Sequence, residues 1–243
     1  MRIGILGGTG PAGSGLAARL ASIGYDAVIG SRNKYRAMEA RDSIVEEFPD
    51  LASRLHYGDN SAAADADIVV IATPWDSAAT AVTEHHALLK GKVIVSMANA
   101  LVRVGHEFQP LVPPRGSVAA HVQAAVPDCR VVAAFHHLPA KELGHIGQPI
   151  DSDVLICGDD PEAVAQISEI VTKIPGCRPL DAGELSNAMA IEAFTAVLLQ
   201  LNVRYKTRVA PKLTGIKRDP RAPKEAPPVD SAAVAEPSHQ PVS

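Results

Sequence analysis

Gly8, Gly10 and Gly13 stand in the spacing G-x-G-x-x-G, directly after the β-branched run Ile3–Leu6 and directly before the helical stretch Leu16-Ala17-Ala18-Arg19-Leu20. In a strand–turn–helix unit, these glycines let a dinucleotide pyrophosphate reach the backbone. Gly8 permits the tight turn, Gly10 leaves room for the phosphates, and Gly13 lets helix and strand pack closely. The first N–H groups of the helix then face the anion.

The end of the second strand decides which dinucleotide fits. A site for NAD usually carries an acid there, roughly 20 residues after the glycines, to grip the ribose 2′-hydroxyl. Here the strand ends Ile29-Gly30-Ser31-Arg32-Asn33-Lys34-Tyr35-Arg36, with a hydroxyl and three cations and no acid. Ser31, Arg32 and Arg36 are suited to a 2′-phosphate through charge-assisted hydrogen bonds. The expected coenzyme is therefore NADP.

In a doubly wound sheet the reactive end of the nucleotide lies beyond the carboxyl ends of later strands. Thr73-Pro74-Trp75, Ser96-Met97-Ala98-Asn99 and His136-His137-Leu138-Pro139-Ala140 occupy those places. Trp75, the only tryptophan, is a candidate wall against the nicotinamide ring. If extended, His136 and His137 point to opposite faces, so at most one meets a ligand. A set of side chains for reducing a carbonyl is missing: there is no Tyr-x-x-x-Lys, and the long C-terminal helix has no lysine before Lys206. A partner that takes hydride into a conjugated ring needs mainly stacking and alignment.

These residues need a frame. Strands are expected at Arg2–Leu6, Ala27–Gly30, Ile68–Ala72, Val93–Ser96, Arg130–Phe135, Asp153–Cys157 and Arg178–Asp181. Helices are expected at Ala12–Ile23, Lys34–Glu47, Ser77–Leu88, Gly116–Ala125, Glu162–Ile174 and Leu185–Lys206. The alternation implies a mostly parallel sheet covered by helices. Runs such as Ile68–Ala72 are apolar at every position, as strands buried on both faces require. Asp160-Pro161-Glu162 reads as a helix start. The stretch from Leu185 to Val203 is apolar nearly all round and calls for burial on more than one side, by a small C-terminal unit or a second chain.

Composition narrows the class. The 243 residues are 47% hydrophobic, 21% charged and 4% aromatic, with a formal charge of −4, which argues for a globular protein and against a nucleic-acid binder. No apolar run reaches the roughly 20 residues of a membrane helix. With no signal peptide legible after Met1, a cytoplasmic location is expected. Cys129, Cys157 and Cys177 match neither a disulfide framework nor a C-x-x-C metal pattern and are expected as buried thiols. Charge is segregated: residues 204–224 hold eight of the basic residues against Asp219, a net of +7, leaving −11 elsewhere. Such a strip attracts anionic ligands. From Arg218 onward the chain turns to Pro, Ala and Ser with no Leu, Ile or aromatic residue, and is expected as a disordered tail.

Six motifs, in order, resemble the NADPH-dependent F420 reductases: Leu6–Gly10, Gly30-Ser31-Arg32, Pro74-Trp75, His136–Ala140, Cys157–Asp160 and Arg178–Gly183. The similarity runs from Met1 to about Lys217. It implies hydride transfer between NADP and the deazaflavin coenzyme F420, by a doubly wound Rossmann domain (1–140) with a smaller C-terminal domain (141–217) and a homodimer, the tail being 218–243. Carried onto matching positions, NADP contacts fall on Thr9, Gly10, Pro11, Ala12, Ser31, Arg32, Arg36, Trp75, Asn99 and Ala140. The archaeal pattern has lysine where Arg36 stands and an aliphatic residue where Asn99 stands. Thr214, in Thr214-Gly215-Ile216-Lys217, matches the stretch bordering the deazaflavin. The phosphate and glutamate tail of F420 gives Lys206, Arg208 and Lys212 an anion to attract. The alternatives are an NADPH-dependent reductase of flavin, ferric iron or an imine, and a non-catalytic NADP-sensing regulator.

Overall fold

The computed structural model describes residues 1–216. Its chain order begins β1 (Arg2–Leu6), α1 (Pro11–Ser22), β2 (Asp26–Ser31), α2 (Lys34–Glu47), β3 (Leu55–Asp59), α3 (Asn60–Ala64), β4 (Ile68–Ile71), α4 (Ala78–Glu84) and α5 (His86–Leu89). It continues through β5 (Val93–Ser96), β6 (Leu101–Val104), β7 (Glu107–Pro110), α6 (Val118–Ala125), β8 (Arg130–Ala133), α7 (Ala140–Gly144), β9 (Ser152–Gly158), α8 (Pro161–Thr172), β10 (Cys177–Asp181) and α9 (Ala188–Tyr205).

Eight strands form one sheet in the order β10-β9-β8-β5-β4-β1-β2-β3, and β6 and β7 form a separate hairpin. All pairings in the large sheet are parallel except β8 with β9. The mostly parallel, doubly wound Rossmann architecture follows. Strand order reverses between β1 and β4, which opens the crevice where such sheets bind ligands.

Apolar runs explain why the strands sit in the middle. Along β4, Ile68 and Val70 face one core cluster with Leu16, Leu20 and Ile167, while Val69 and Ile71 face the other with Val82, Val122 and Ile191. Both faces are covered, so every position must be apolar. The start of α8 is as the residues foretell: Asp160 Oδ1 accepts from Ala163 N at 2.8 Å, with Pro161 in the first turn.

Several details differ from the sequence expectations. The 77–88 stretch breaks at His85 into α4 and α5. β3, α3, the β6–β7 hairpin and α7 are additional elements, all short, for which periodicity gives little signal. Residues 141–217 do not leave the sheet at 141: β9 and β10 extend it, and Met1–Leu213 is one compact unit. The second unit starts at Thr214, and of it Thr214–Ile216 are described, all exposed, with Gly215 in the left-handed region. The expected tail, 218–243, lies outside the described residues. α9 is buried on one side only, through Ala188, Ile191, Glu192, Thr195 and Leu198, and exposes Met189, Phe194, Val197 and Val203.

Candidate coenzyme site

The β1–α1 turn is built for backbone access. Gly7 takes φ +70°, so the left-handed residue of the turn is Gly7, not the expected Gly8. A Cβ on Gly13 would sit 2.7 Å from Gly8 Cα, whereas one on Gly10 would meet nothing within 4 Å. Helix and loop thus touch at Gly13, and space is left open over Gly10. α1 begins at Gly10-Pro11 with no side-chain cap, while Asn33, Asp59, Ser117 and Asp160 cap α2, α3, α6 and α8. Thr9, Gly10, Pro11 and Ala12 therefore line an uncapped helix start whose dipole favours an anion.

Gly8 N donates to Gly30 O at 2.9 Å and ties this turn to the end of β2. There Ser31 is mostly buried, and its Oγ accepts from Asn33 N at 3.2 Å, which leaves the hydroxyl proton to donate elsewhere. Arg32 and Arg36 are exposed, and their guanidinium groups have no partner among the described residues. Two unneutralised cations and a hydroxyl thus stand together at the end of β2, a donor set chemically suited to an anion.

Beyond β4, β5 and β8 the side chains carry unmet hydrogen-bonding capacity. Among the described residues, eight buried side-chain polar atoms lack a partner. Six of them are here: Thr73 Oγ1, Ser96 Oγ, Asn99 Oδ1, both ring nitrogens of His136, and His137 Nδ1. Buried polar groups are normally paired, so this concentration at three neighbouring strand ends sets the region apart from the rest of the described core. Asn99 Nδ2 donates to His136 O at 3.0 Å, joining two of those ends and aiming one oxygen outward from the bond. Trp75 opens a short 3-10 turn after β4, half-buried against the α4–α6 cluster. Ala140 is the first residue of α7, which packs on α1 so closely that a Cβ on Gly15 would lie 3.0 Å from Ala140 O.

His136 and His137 are not extended. Phe135 takes φ 66° and Leu138 N donates to Phe135 O at 3.2 Å, so the two histidines occupy a turn and both are buried. The argument from opposite faces therefore does not apply. They differ in partners instead: His137 Nε2 lies 2.9 Å from Asp153 O, which makes it the donor, while His136 has none. Burial, then the neighbouring His137, pushes His136 down to about 3. Its ring is neutral near pH 7.

The structure thus gathers Thr9–Ala12, Ser31, Arg32 and Arg36 along the β1–β2 side, and Trp75, Asn99 and Ala140 after β4, β5 and β8. Thr214 belongs to the second unit and is exposed. Two residues that shape the rim escaped the motif reading. Arg19 is wholly buried and bonds the carbonyls around α7; its signal was an arginine inside an apolar helical stretch. Asp153 is buried in an ion pair with Arg178, and no spacing links residues so far apart. No group of residues able to hold a metal ion occurs among the described residues.

The cysteines are free thiols, with Cys129 and Cys157 buried and Cys177 partly so. Burial pushes Cys157 up to about 12 and Cys177 up to about 11, so neither is a thiolate near pH 7. No helix among the described residues is long and apolar enough to cross a membrane.

Residues 2–100 match the family described as NADP oxidoreductase, coenzyme F420-dependent. The chain is 36% identical over 222 residues to the F420-dependent NADP reductase of Methanocaldococcus jannaschii, covering 89% of this chain and 97% of that one. It is 34% identical over 217 residues to the enzyme of the same description from Methanothermobacter marburgensis, covering 86% and 96%. A crystal structure from Arthrobacter sp. FB24, titled as a candidate F420-dependent NADP reductase, superposes with a TM-score of 0.72 at 26% identity over 86% of this chain and 96% of that chain. With a dinucleotide crevice, an anion-suited donor set at the end of β2 and full-length relatives of one description, the chain belongs to the F420-dependent NADP reductase family.

Proposed function

We propose that the chain moves a hydride directly between NADP(H) and coenzyme F420 across the rim formed by the ends of β4, β5 and β8. The two coenzymes supply the redox chemistry, one ring releasing hydride and the other accepting it. The chain binds, aligns and dries the rings. Gly10 and the uncapped start of α1 take the pyrophosphate, with Thr9, Pro11 and Ala12 around it; Ser31, Arg32 and Arg36 take the 2′-phosphate. Thr73 Oγ1 and Asn99 Oδ1, buried and unpaired, are positioned for the polar edge of the nicotinamide, with Trp75 and Ala140 beside it.

The observation that carries this reading is the open glycine turn with the exposed Arg32 and Arg36 at the end of β2, unaccompanied by the Tyr-x-x-x-Lys proton-donating pair of a carbonyl reductase. Transfer between two conjugated rings needs closeness and orientation instead. Mixing the protein with NADPH and oxidised F420 tests it: the deazaflavin band bleaches if the reading is right and persists if the protein only senses NADP.

Three finer readings accompany it. Residues 141–217 carry the deazaflavin side of the site, with Thr214 on its border. The exposed apolar residues Phe194 and Val197 of α9 receive a second copy in a homodimer that resides in the cytoplasm. The anionic tail of F420 is drawn to the cations after α9. Of these, Arg208 already pairs with Glu142 at 2.7 Å and Lys212 with Asp151 at 2.5 Å, so Lys206, without a partner among the described residues, carries the attraction together with Arg204 in the last turn of α9. Lys206 borders a surface hollow with Thr207, Arg208 and Glu142.

A further inference from the structure

β9 runs antiparallel to β8, with Ala133 opposite Cys157. Its first residues, Ser152 and Asp153, therefore extend past the end of β8, on the same edge of the sheet as His136 and His137. Asp153 is fully buried, and its bonds reach three separate parts of the chain.

The first is Arg178 at the start of β10. Arg178 Nε donates to Asp153 Oδ1 at 2.7 Å and Nη2 to Oδ2 at 2.6 Å, a two-pronged fork. The second is the segment that follows α9. Asp153 N donates to Pro211 O at 2.8 Å, and Leu213 N donates to Asp153 Oδ2 at 2.6 Å. Arg178 Nη2 closes the loop by donating to Leu213 O at 2.7 Å. The third is the histidine turn, where His137 Nε2 donates to Asp153 O at 2.9 Å. Burial alone would push the Asp153 carboxyl up, but the Arg178 bonds, Leu213 N–H and the charges of Arg178 and Lys212 outweigh it and leave the group below its ordinary range. The carboxylate is thus charged across the working pH range, and the fork persists there.

An ion pair buried only for stability has no need to reach the backbone of a segment without regular structure. Here Oδ2 of one carboxylate accepts from both Arg178 Nη2 and Leu213 N–H, while Oδ1 accepts from Arg178 Nε. Residues 209–213 have no regular secondary structure; Val209 N is held by Asn202 Oδ1 and Lys212 by Asp151, and the Asp153–Arg178 contacts fix Pro211 and Leu213.

We propose that Asp153 and Arg178 are a positioning pair that latches residues 211–213 to the rim and sets the His136–His137 turn beside them, and so shapes the deazaflavin side of the site. This rests on the functional reading above. Neither residue touches the nucleotide side: β1, β2 and the glycine turn lie at the other end of the strand order. The latch therefore acts first on the deazaflavin side, while NADPH keeps its phosphate contacts at the glycine turn and the end of β2 and is affected far less.

The test uses the full chain with three substitutions. Leu213→Pro removes only the N–H that meets Asp153, at an exposed position. Arg178→Gln removes the fork, and Arg178→Lys restores charge with one prong. Oxidised F420 and NADPH are titrated separately by fluorescence, and trypsin cleavage after Arg208, a bond that none of the substitutions alters, is timed by mass spectrometry. Leu213→Pro and Arg178→Gln are expected to weaken F420 binding roughly tenfold, leave NADPH within about twofold and speed cleavage, with Arg178→Lys between. Unchanged F420 affinity in folded Leu213→Pro overturns the proposal, as does an equal loss for both coenzymes. Should Arg178→Gln not fold, Leu213→Pro alone decides. A wild-type chain that binds no F420 defeats the functional reading, while unchanged cleavage in Leu213→Pro separately defeats the latch.

Discussion

Arg19 Nη2 on α1 lies 2.6 Å from the Glu142 carbonyl on α7, and the rest of the guanidinium is engaged in the same way. Its other N–H groups reach the carbonyls of Leu143, His145, Ile146 and Gln148 at 2.8–3.2 Å. All five donors of a wholly buried arginine thus close the end of α7, the helix that starts at Ala140. Burial lowers the pKa of Arg19, partly opposed by the charges of Cys177 and Glu142.

Replacing Arg19 by Met removes five hydrogen bonds, and of the five carbonyls His145 O keeps a bond from Gln148 N. The expected loss is roughly 3 kcal/mol or more, a fall in Tm of about 6 °C or more, and Arg19→Lys recovers only part because it offers three donors. Urea denaturation followed by circular dichroism measures it, and a wild-type midpoint for Arg19→Met would show that the bonds contribute nothing net.

Arg32→Ala separates the two nicotinamide coenzymes. Loss of a charge-assisted bond is worth about 1.5–3 kcal/mol, so KM for NADPH rises by roughly 10- to 100-fold while KM for NADH barely moves. Steady-state kinetics with both donors decides, and equal effects contradict a 2′-phosphate at Ser31, Arg32 and Arg36.

His136 gives a pH signature with a definite sign. Its folded pKa, about 3, is below the ordinary 6.5, so the unfolded chain binds the extra proton first. The stability it contributes is complete above pH 6.5 and is lost as the pH falls toward 3. His136→Phe removes that slope, which denaturant midpoints across pH 4 to 7 reveal. A wild-type-like slope in the variant would assign the pH dependence to other groups.

Glu192 runs the opposite way. Burial raises it to about 7, although its oxygens accept from Val118 N at 2.8 Å and Ala119 N at 3.1 Å at the start of α6. A carboxyl raised above its ordinary 4.5 makes the fold less stable as the pH climbs from 4.5 through 7. Glu192→Gln is expected to flatten that decline, and thermal melts at pH 5 and pH 8 compare the two.

Arg204 and Lys206 give a salt-dependent prediction. If they draw in the F420 tail, KM for F420 rises steeply with added salt through screening, and Lys206→Ala raises it at low salt. A Michaelis constant indifferent to both would refute the attraction.

Much of this molecule is local chemistry. β1, β5 and α2 lie at the bounds read from the residues, because unbroken apolar runs and clear stops admit few alternatives. The glycine turn with its helix start and the Ser31–Arg36 cluster are each contiguous in sequence, so the proposed NADP side rests on local residue order and needs no fold to be stated. The short β3, α3 and α7 were not, since four or five residues cannot show a period.

Tertiary structure alone decided the reactive rim. Asp153 meets Arg178 and Leu213 across 25 and 60 residues, and Arg19 meets Gln148 across 129. Nothing in the spacing of such residues records their contact, because it arises where β9 turns back against β8 and carries distant segments to one edge. The histidine turn shows the same division. Its residue types announced a site, but the left-handed Phe135 and the buried Asp153 determined that His137 is anchored and His136 left open. Side-chain identity sets what chemistry is available; packing decides which groups are paired and which remain to meet a ligand.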